Sequence, residues 1–220
     1  DLRAKCSSRH VPAVIAEAGL VAVDAILVDL GVSSMQHDAP ARGFSYKGVG
    51  PLDMRMNPQR GFPAVALLEK TPPEVLARLL EEKADEPRAS ELANALARRR
   101  ITTAHDLARA IRTASPRLSK DETDLTVRRA FQALRIAVND EFSALDALMR
   151  VLPTCLRPGG RVAILSFHSG EDRRVKKALQ AGERDGTYSE VVDDLIRATA
   201  EERRANPRAS SAKLRWAVRA

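Results

Sequence analysis

The segment VDAILVDLGVSS, residues 23–34, constrains the fold more than any other stretch of this chain. Its apolar run is nearly continuous, which predicts a strand over residues 23–30 that is buried on both faces, as in a parallel sheet covered by helices. The run ends in one carboxylate and two hydroxyls, Asp29, Ser33 and Ser34. Because open α/β sheets bind ligands beyond the carboxyl ends of their strands, these residues predict the floor of a site.

A second polar strand end follows the motif LRPGGR, which predicts a turn into the strand VAILSFHS. Ser166, His168, Ser169, Glu171 and Asp172 come at the end of that strand. We expect them to converge with Asp29 at one edge of the sheet. Simpler interpretations remain open, because Asp29 could stabilise a turn, His168 could be a core histidine and Ser169 could be the N-cap of a helix.

The pattern of the whole chain predicts an α/β protein interrupted by helices. A helix over residues 11–19 precedes the first strand, and residues 36–60 form a long glycine- and proline-rich loop. Residues 62–118 are predicted to be helical throughout, with N-caps at Thr71, Ser90 and Thr103. A helix over about 124–150, the second strand, a helix from about Glu171 and a closing strand KLRWAVRA follow. The helical block therefore reads as an insertion between two halves of one sheet.

Charge and cysteine content narrow the functional classes. Lysine and arginine number 36 against 29 acidic residues, a net charge of +7 that suits a phosphate-rich partner, although genomic base bias gives the same excess. Cys6 and Cys155 stand apart from any metal-ligand spacing, so we expect two packing residues, no metal site and no disulfide framework. No apolar run is long enough for a bilayer and no secretory signal is visible, so we expect a cytoplasmic protein without membrane contact.

Six ordered blocks of the sequence resemble the MraW/RsmH family. They are DLGVSSMQHD, RGFSY, GPLDMRM, FQALRIAVNDE, LRPGGRVAILSFHSGEDRRVK and NPRASSAKLR. Members of that family use S-adenosyl-L-methionine to methylate the exocyclic N4 of a cytidine in small-subunit ribosomal RNA. The block SFHSGEDR departs from the family pattern, because Gly170 stands where leucine is usual.

The resemblance implies a fold and a division into domains. It implies a Rossmann-like methyltransferase sheet formed by residues 1–36 and 123–220, with an inserted all-helical domain, residues 37–122, that helps to hold the RNA. The family also has a strand, a glycine-rich cofactor loop and an acidic ribose ligand before the position of Asp29. Nothing before Asp29 supplies them, so we expect an upstream segment, cut away or beyond Asp1. The alternatives are a catalytically inactive RNA-binding relative and, less well supported, another Rossmann enzyme.

The same resemblance implies site residues. Asp29 and Gln36 match cofactor-contacting positions, and Gly31 belongs with them. Cytosine's amino group is a poor nucleophile because its lone pair is delocalised, so a carboxylate that accepts its N–H bonds would activate it. The predicted catalytic residues are therefore Asp29, Ser33, Ser34 and His168. Whether Asp29 binds the cofactor or accepts the amino group of the base stays open.

Basic and aromatic residues supply the predicted RNA contacts. Phe44 or Tyr46 could stack on the flipped base, with Arg42 and Arg55 on neighbouring phosphates. Arg208, Lys213 and Arg215 could also bind phosphate. Two structural alternatives remain. Phe44 could instead fill the interface to the helical module. Arg208, Lys213 and Arg215 could instead belong to a turn and an edge strand with outward basic side chains. Whether the protein is a homodimer is left open.

Overall fold

The computed structural model of the chain describes residues 10–46 and 48–220, so Cys6 lies outside the described residues. It divides into two compact units. The sheet unit joins the chain up to Gly31 with residues 142–220, and the helical unit comprises residues 32–141. None of the helices within the described ranges is both long enough and apolar enough to cross a membrane.

The sheet unit is a mixed α/β structure. Its five-stranded sheet has the order β1-β2-β5-β3, with β4 paired to β5. The pairing of β1 with β2 is parallel, and β5 is antiparallel to β2, β3 and β4. The strands are β1 (Val23–Asp29), β2 (Leu156–Ser166), β3 (Tyr188–Val191), β4 (Ile196–Arg197) and β5 (Lys213–Arg219). The helices of this unit are α1 (Val11–Glu17), α8 (Glu141–Cys155, which begins at the unit boundary), α9 (Ser169–Arg184) and α10 (Ala200–Ala205).

One apolar core fills the sheet unit. Leu148 and Leu152 of α8 and Leu179 of α9 pack with Val162 and Ile164 of β2. Cys155 is buried as well, as its packing role requires. This core fixes β2 at the centre of the unit, and β2 in turn holds β1 through a parallel register.

The prediction that β1 is buried on both faces is wrong for this structure. Ile26 and Val28 pack against the core, but Leu27 on the opposite face is 71% exposed. No element among the described residues covers the face of β1 that carries Leu27. Asp29 shares that exposed face with Leu27, since side chains alternate along a strand.

The motif LRPGGR also differs from its prediction. Its residues form the beginning of β2 rather than a turn before it, with a register shift between the pairs Val23↔Leu156 and Ala25↔Arg161. Gly159 has φ 75°, a left-handed conformation that glycine adopts without strain. The two glycines therefore make a bulge inside the strand.

The helical unit has a separate core. Leu52 and Met54 from the long loop are fully buried against Leu80, Leu107 and Leu134 of its helices. The loop thus contributes Leu52 and Met54 to the hydrophobic core of this unit, while its residues 57–60 lie on the surface. The helices are α2 (Ser34–Asp38), α3 (Ala64–Lys70), α4 (Pro73–Ala84), α5 (Ala89–Ala97), α6 (Ala104–Thr113) and α7 (Lys120–Asn139).

The single helix predicted over 124–150 is two helices. Asp140 adopts a left-handed conformation with φ 50° between α7 and α8 and ends the first helix. Residues Val127 and Leu134 of α7 lie in the core of the helical unit. The unit boundaries consequently fall at residues 31 and 141, whereas the sequence analysis placed them at 36 and 122.

Candidate active site

The carboxyl ends of β1 and β2 lie side by side in the sheet unit. Asp29 is the register partner of Leu165, and the Leu30 N–H donates to the Leu165 carbonyl at 3.0 Å. Gly31 then leaves the strand with φ 93°, a conformation that L side chains rarely adopt. Parallel pairing therefore brings the residues that follow β2 toward the carboxyl end of β1, where the charge of Glu171 acts on Asp29.

A histidine starts α9 and orients a buried acid. His168 is the N-cap residue, and its Nδ1 accepts the Glu171 N–H at 3.4 Å. The Glu171 carboxylate, 4% exposed, accepts the Phe167 N–H at 2.9 Å and lies 3.3 Å from His168 Nε2. The simpler interpretation of Ser169 as the N-cap is wrong, because Ser169 is already the first helical residue.

Electrostatics set Asp29 apart from an ordinary surface aspartate. Partial burial raises the pKa of Asp29, and the negative charge of Glu171 raises this pKa further. A carboxylate in this situation is a better hydrogen-bond acceptor and base than a fully solvated one. This is the behaviour that a residue accepting an N–H proton would need.

Arg215 is held in an ion pair within this unit, which weakens its assignment to RNA phosphates. It is 7% exposed, and its Nε donates to Asp172 Oδ1 at 2.7 Å. That buried ion pair ties β5 to α9 and leaves Arg215 no exposed surface for a phosphate. Lys213 is half-buried in β5 and Arg208 is exposed, so these two remain the candidate phosphate contacts at this end of the chain.

Ser33, Ser34 and Gln36 belong to the helical unit. Ser33 is the N-cap of α2, and its Oγ accepts the Gln36 N–H at 3.3 Å while Gln36 Oε1 accepts the Ser33 N–H at 3.2 Å. Gln36 Nε2 donates to the Met56 carbonyl at 3.2 Å. Both ends of the Gln36 amide are thus engaged by its own chain, and Ser34 is the first residue of the helix.

The two arginines of the long loop hold the loop together. Arg42 Nη2 donates to the carbonyls of Arg55 and Met56 at 2.7 and 3.0 Å. Arg55 forms a two-point ion pair with Asp53, at 2.7 and 2.9 Å, which holds the pKa of that aspartate below its ordinary value. Their guanidinium groups are therefore committed to the loop, which weakens their assignment to phosphates.

The predicted stacking residues are packed inside the helical unit. Phe44 is 7% exposed and lies in its core. The Tyr46 ring meets Phe131 edge to face with 5.5 Å between centroids, and the Arg112 guanidinium covers it at 5.5 Å. The structure favours the packing alternative for Phe44, and stacking of either ring on a base stays a prediction.

Two residues at the strand ends are candidate site residues that the sequence did not predict. Glu171 was noted only as one of several polar groups, although its position three residues after His168 places it beside the helix start. Phe167 was passed over as part of an apolar strand, and it is 36% exposed immediately after β2. The sequence carries no signal for it, because the run VAILSF is apolar at nearly every position and does not alternate.

Known proteins resemble this chain over most of its length. The chain is 50% identical over 206 residues to ribosomal RNA small subunit methyltransferase H 1 of Agathobacter rectalis, covering 90% of this chain and 59% of that protein. The protein of the same name from Lachnoclostridium phytofermentans is 46% identical over 220 residues, 96% of this chain and 60% of its own length. Ribosomal RNA small subunit methyltransferase H of Heliobacterium modesticaldum is 42% identical over 230 residues, 95% of this chain and 73% of that protein.

The match extends to a whole family. The chain spans about three fifths of the length of the first two of these relatives. The model of the MraW methylase family matches residues 3–220, which includes both units and both strand ends described above. This chain belongs to the MraW methylase family.

Proposed function

We propose that the protein to which this chain belongs transfers a methyl group from S-adenosyl-L-methionine to the exocyclic N4 of a cytidine in small-subunit ribosomal RNA. The observation that carries the proposal is the identity of 42–50% to relatives whose names describe a small-subunit ribosomal RNA methyltransferase. The position of Asp29 at the end of β1 also supports the proposal, because a carboxylate there can accept hydrogen bonds from an amino group.

Asp29 is the proposed acceptor for the cytosine amino group. A carboxylate oxygen that accepts an N–H bond localises the nitrogen lone pair and aligns it for attack. Methylation makes that nitrogen cationic, so it must lose a proton, and the raised pKa of Asp29 favours proton uptake there. His168 acts in this scheme by capping α9 and orienting Glu171, rather than by touching the base.

The described residues fit one edge of a methyl-donor site. Gly31 has no side chain and a positive φ, so its backbone can be approached closely beside Asp29. When bound, S-adenosyl-L-methionine supplies a methyl group already activated on a sulfonium, so the protein has to orient the reactants and exclude water. Gln36 stays a donor contact implied only by the family resemblance, and its amide is bonded to Ser33 and Met56.

The helical unit is the proposed RNA-substrate domain, with the cytoplasm as the place of reaction. Its loop residues Phe44, Tyr46, Arg42 and Arg55 would serve by holding the loop in shape rather than by direct contact. The protein carries a net charge of +7, which favours association with RNA phosphates at low salt.

The test is complementation of a strain that lacks the corresponding gene. Nucleoside mass spectrometry of its small-subunit ribosomal RNA should show N4-methylated cytidine after expression of the complete wild-type protein and not after expression of its Asp29→Ala variant. Leu20→Ala, at the amino end of β1, is the control for an exposed side chain of the same unit. Absence of the modification with a folded wild-type protein would favour the inactive RNA-binding relative instead.

A further inference from the structure

With Phe44 and Tyr46 engaged in packing, another aromatic side chain is needed beside the target base of the proposed reaction. Both side chains have their rings packed in the helical unit. In the sheet unit Phe142 and Tyr188 are 4% exposed, and Trp216 of β5 is half-buried beside Ala163 of β2. Phe167, at 36% exposed, is the most accessible phenyl ring among the described residues of that unit.

Phe167 lies on the same face of the sheet as Asp29. Along β2 the side chains of Val162, Ile164 and Ser166 are buried, so those at 163 and 165 face the other way, and Phe167 is the first residue after the strand. Leu165 is the register partner of Asp29, and two residues further on the Phe167 ring lies beside Gly31. A Cβ added to Gly31 would lie 3.9 Å from Phe167 Cδ2.

The spacing of strands puts the ring within reach of the same base. Two residues along a strand advance by about 7 Å, which is close to the span of a pyrimidine with its exocyclic amino group. A base lying on the Phe167 ring could therefore direct that amino group toward Asp29. A side chain at position 31 would extend toward the Phe167 ring, and glycine adds none there.

The exposure of Phe167 does not come from a loose chain. Its N–H donates to the buried Glu171 carboxylate at 2.9 Å, and the next residue, His168, caps α9. The backbone of Phe167 is therefore fixed between the last residue of β2 and the first turn of a 16-residue helix. A partly exposed apolar ring held in this way is suited to receive a flat ligand.

We infer that Phe167 is the ring on which the target pyrimidine stacks while its amino group is bound by Asp29. The inference rests on the proposed function and adds a positioning residue and a nucleobase subsite to it. Glu171 has a second role here, because one carboxylate fixes the Phe167 backbone and also raises the basicity of Asp29.

The test measures methyl transfer by the complete protein to small ribosomal subunits isolated from the gene-deletion strain. Stacking contributes equally to ground state and transition state, so its loss should raise KM with little change in kcat. Phe167→Leu should raise KM by about 10- to 100-fold. Phe167→Tyr and Phe167→Trp, which keep an aromatic face, should stay within about threefold of wild type.

Two further variants keep the test decisive. Phe167→Met has a flexible side chain of similar volume without a ring, so it replaces the leucine variant if that variant fails to fold. Leu20→Ala, which removes a side chain that is 40% exposed at the other end of β1, should behave as wild type. Unchanged binding of S-adenosyl-L-methionine, measured by calorimetry, checks the donor site in every variant.

The outcomes separate this inference from the proposed function. A wild-type KM for Phe167→Leu and Phe167→Met, or equal losses in the tyrosine and tryptophan variants, would overturn the stacking role while the methyltransferase function stands. A wild-type protein that binds the donor but transfers no methyl group to the subunits would overturn both.

Discussion

At the scale of single residues, exposure and charge pairing distinguish a candidate site residue such as Asp29 from a structural residue such as Arg215. The carboxylate of Asp29 faces away from the core, and burial together with the charge of Glu171 raises its pKa. Arg215, by contrast, is buried against Asp172. The sequence predicts a functional role for both, because the spacing of residues along the chain does not reveal whether a charge is paired.

Asp29→Asn should raise thermal stability at neutral pH. A carboxyl group whose pKa is raised on folding favours the folded state only at low pH, and this contribution is lost as the pH rises through the folded pKa. Above that pKa the ionised carboxylate destabilises the folded state, and asparagine removes this destabilising charge. The gain is small because Asp29 is largely exposed, and it should vanish below the ordinary aspartate pKa of about 3.9. Melting curves from pH 3 to pH 8 check this, and a lower melting temperature of the variant at pH 7.5 would contradict it.

Arg215→Ala should destabilise the sheet unit by about 3 kcal/mol. Removing one partner of a buried ion pair leaves the other charge uncompensated, here Asp172. Asp172→Ala should have a similar effect, and the double variant should cost less than the sum of both. Urea denaturation measures these values. If Arg215→Ala kept wild-type stability and lost affinity for RNA, Arg215 would be a phosphate contact after all.

At the scale of elements, apolar periodicity predicted more than cap residues did. Thr103 is an N-cap as predicted, with a capping box to Asp106, but Thr71 ends α3 and Ser90 lies inside α5. Thr71 is not the N-cap of α4 because Pro72 occupies that position. A small polar residue before an apolar run is compatible with several helix starts, and tertiary packing selects one of them.

Thr103→Ala should lower the stability of the helical unit by about 1 kcal/mol. The side chain accepts the Asp106 N–H at 3.0 Å, so its loss leaves a backbone donor at the start of α6 without its cap. Ser90→Ala is the matched control, because Ser90 is exposed within α5 and should change stability by less than about 0.5 kcal/mol. Chemical denaturation compares the two, and equal effects would rule out the cap assignment.

At the scale of the whole molecule, the sequence predicted a helical block within an α/β pattern but not its boundaries. The long helix was assigned to the sheet part, yet α7 carries Val127 and Leu134 into the helical core and ends at Asp140. A break of one residue in the left-handed region leaves no strong sequence signal when that residue is aspartate. The exposed face of β1 was missed for a related reason, because an apolar run does not show which of its neighbours are present.

Residues 32–141 expressed alone should fold cooperatively. Their core is separate from that of the sheet unit and contains fully buried Leu52, Leu80, Leu107 and Leu134. Circular dichroism should show a helical spectrum and one sigmoidal thermal transition. A gradual, non-cooperative melt would mean that this unit depends on the rest of the chain.

The central claim is that Asp29 presents the amino group of a cytidine for methylation. The most direct measurement is transfer of isotopically labelled methyl groups from S-adenosyl-L-methionine to isolated small ribosomal subunits by the complete protein, with wild type and Asp29→Asn compared. We predict label in N4-methylated cytidine with wild type and a rate at least about 100-fold lower with the variant. Label in another nucleoside, or an equal rate with a folded Asp29→Asn protein, would contradict the claim.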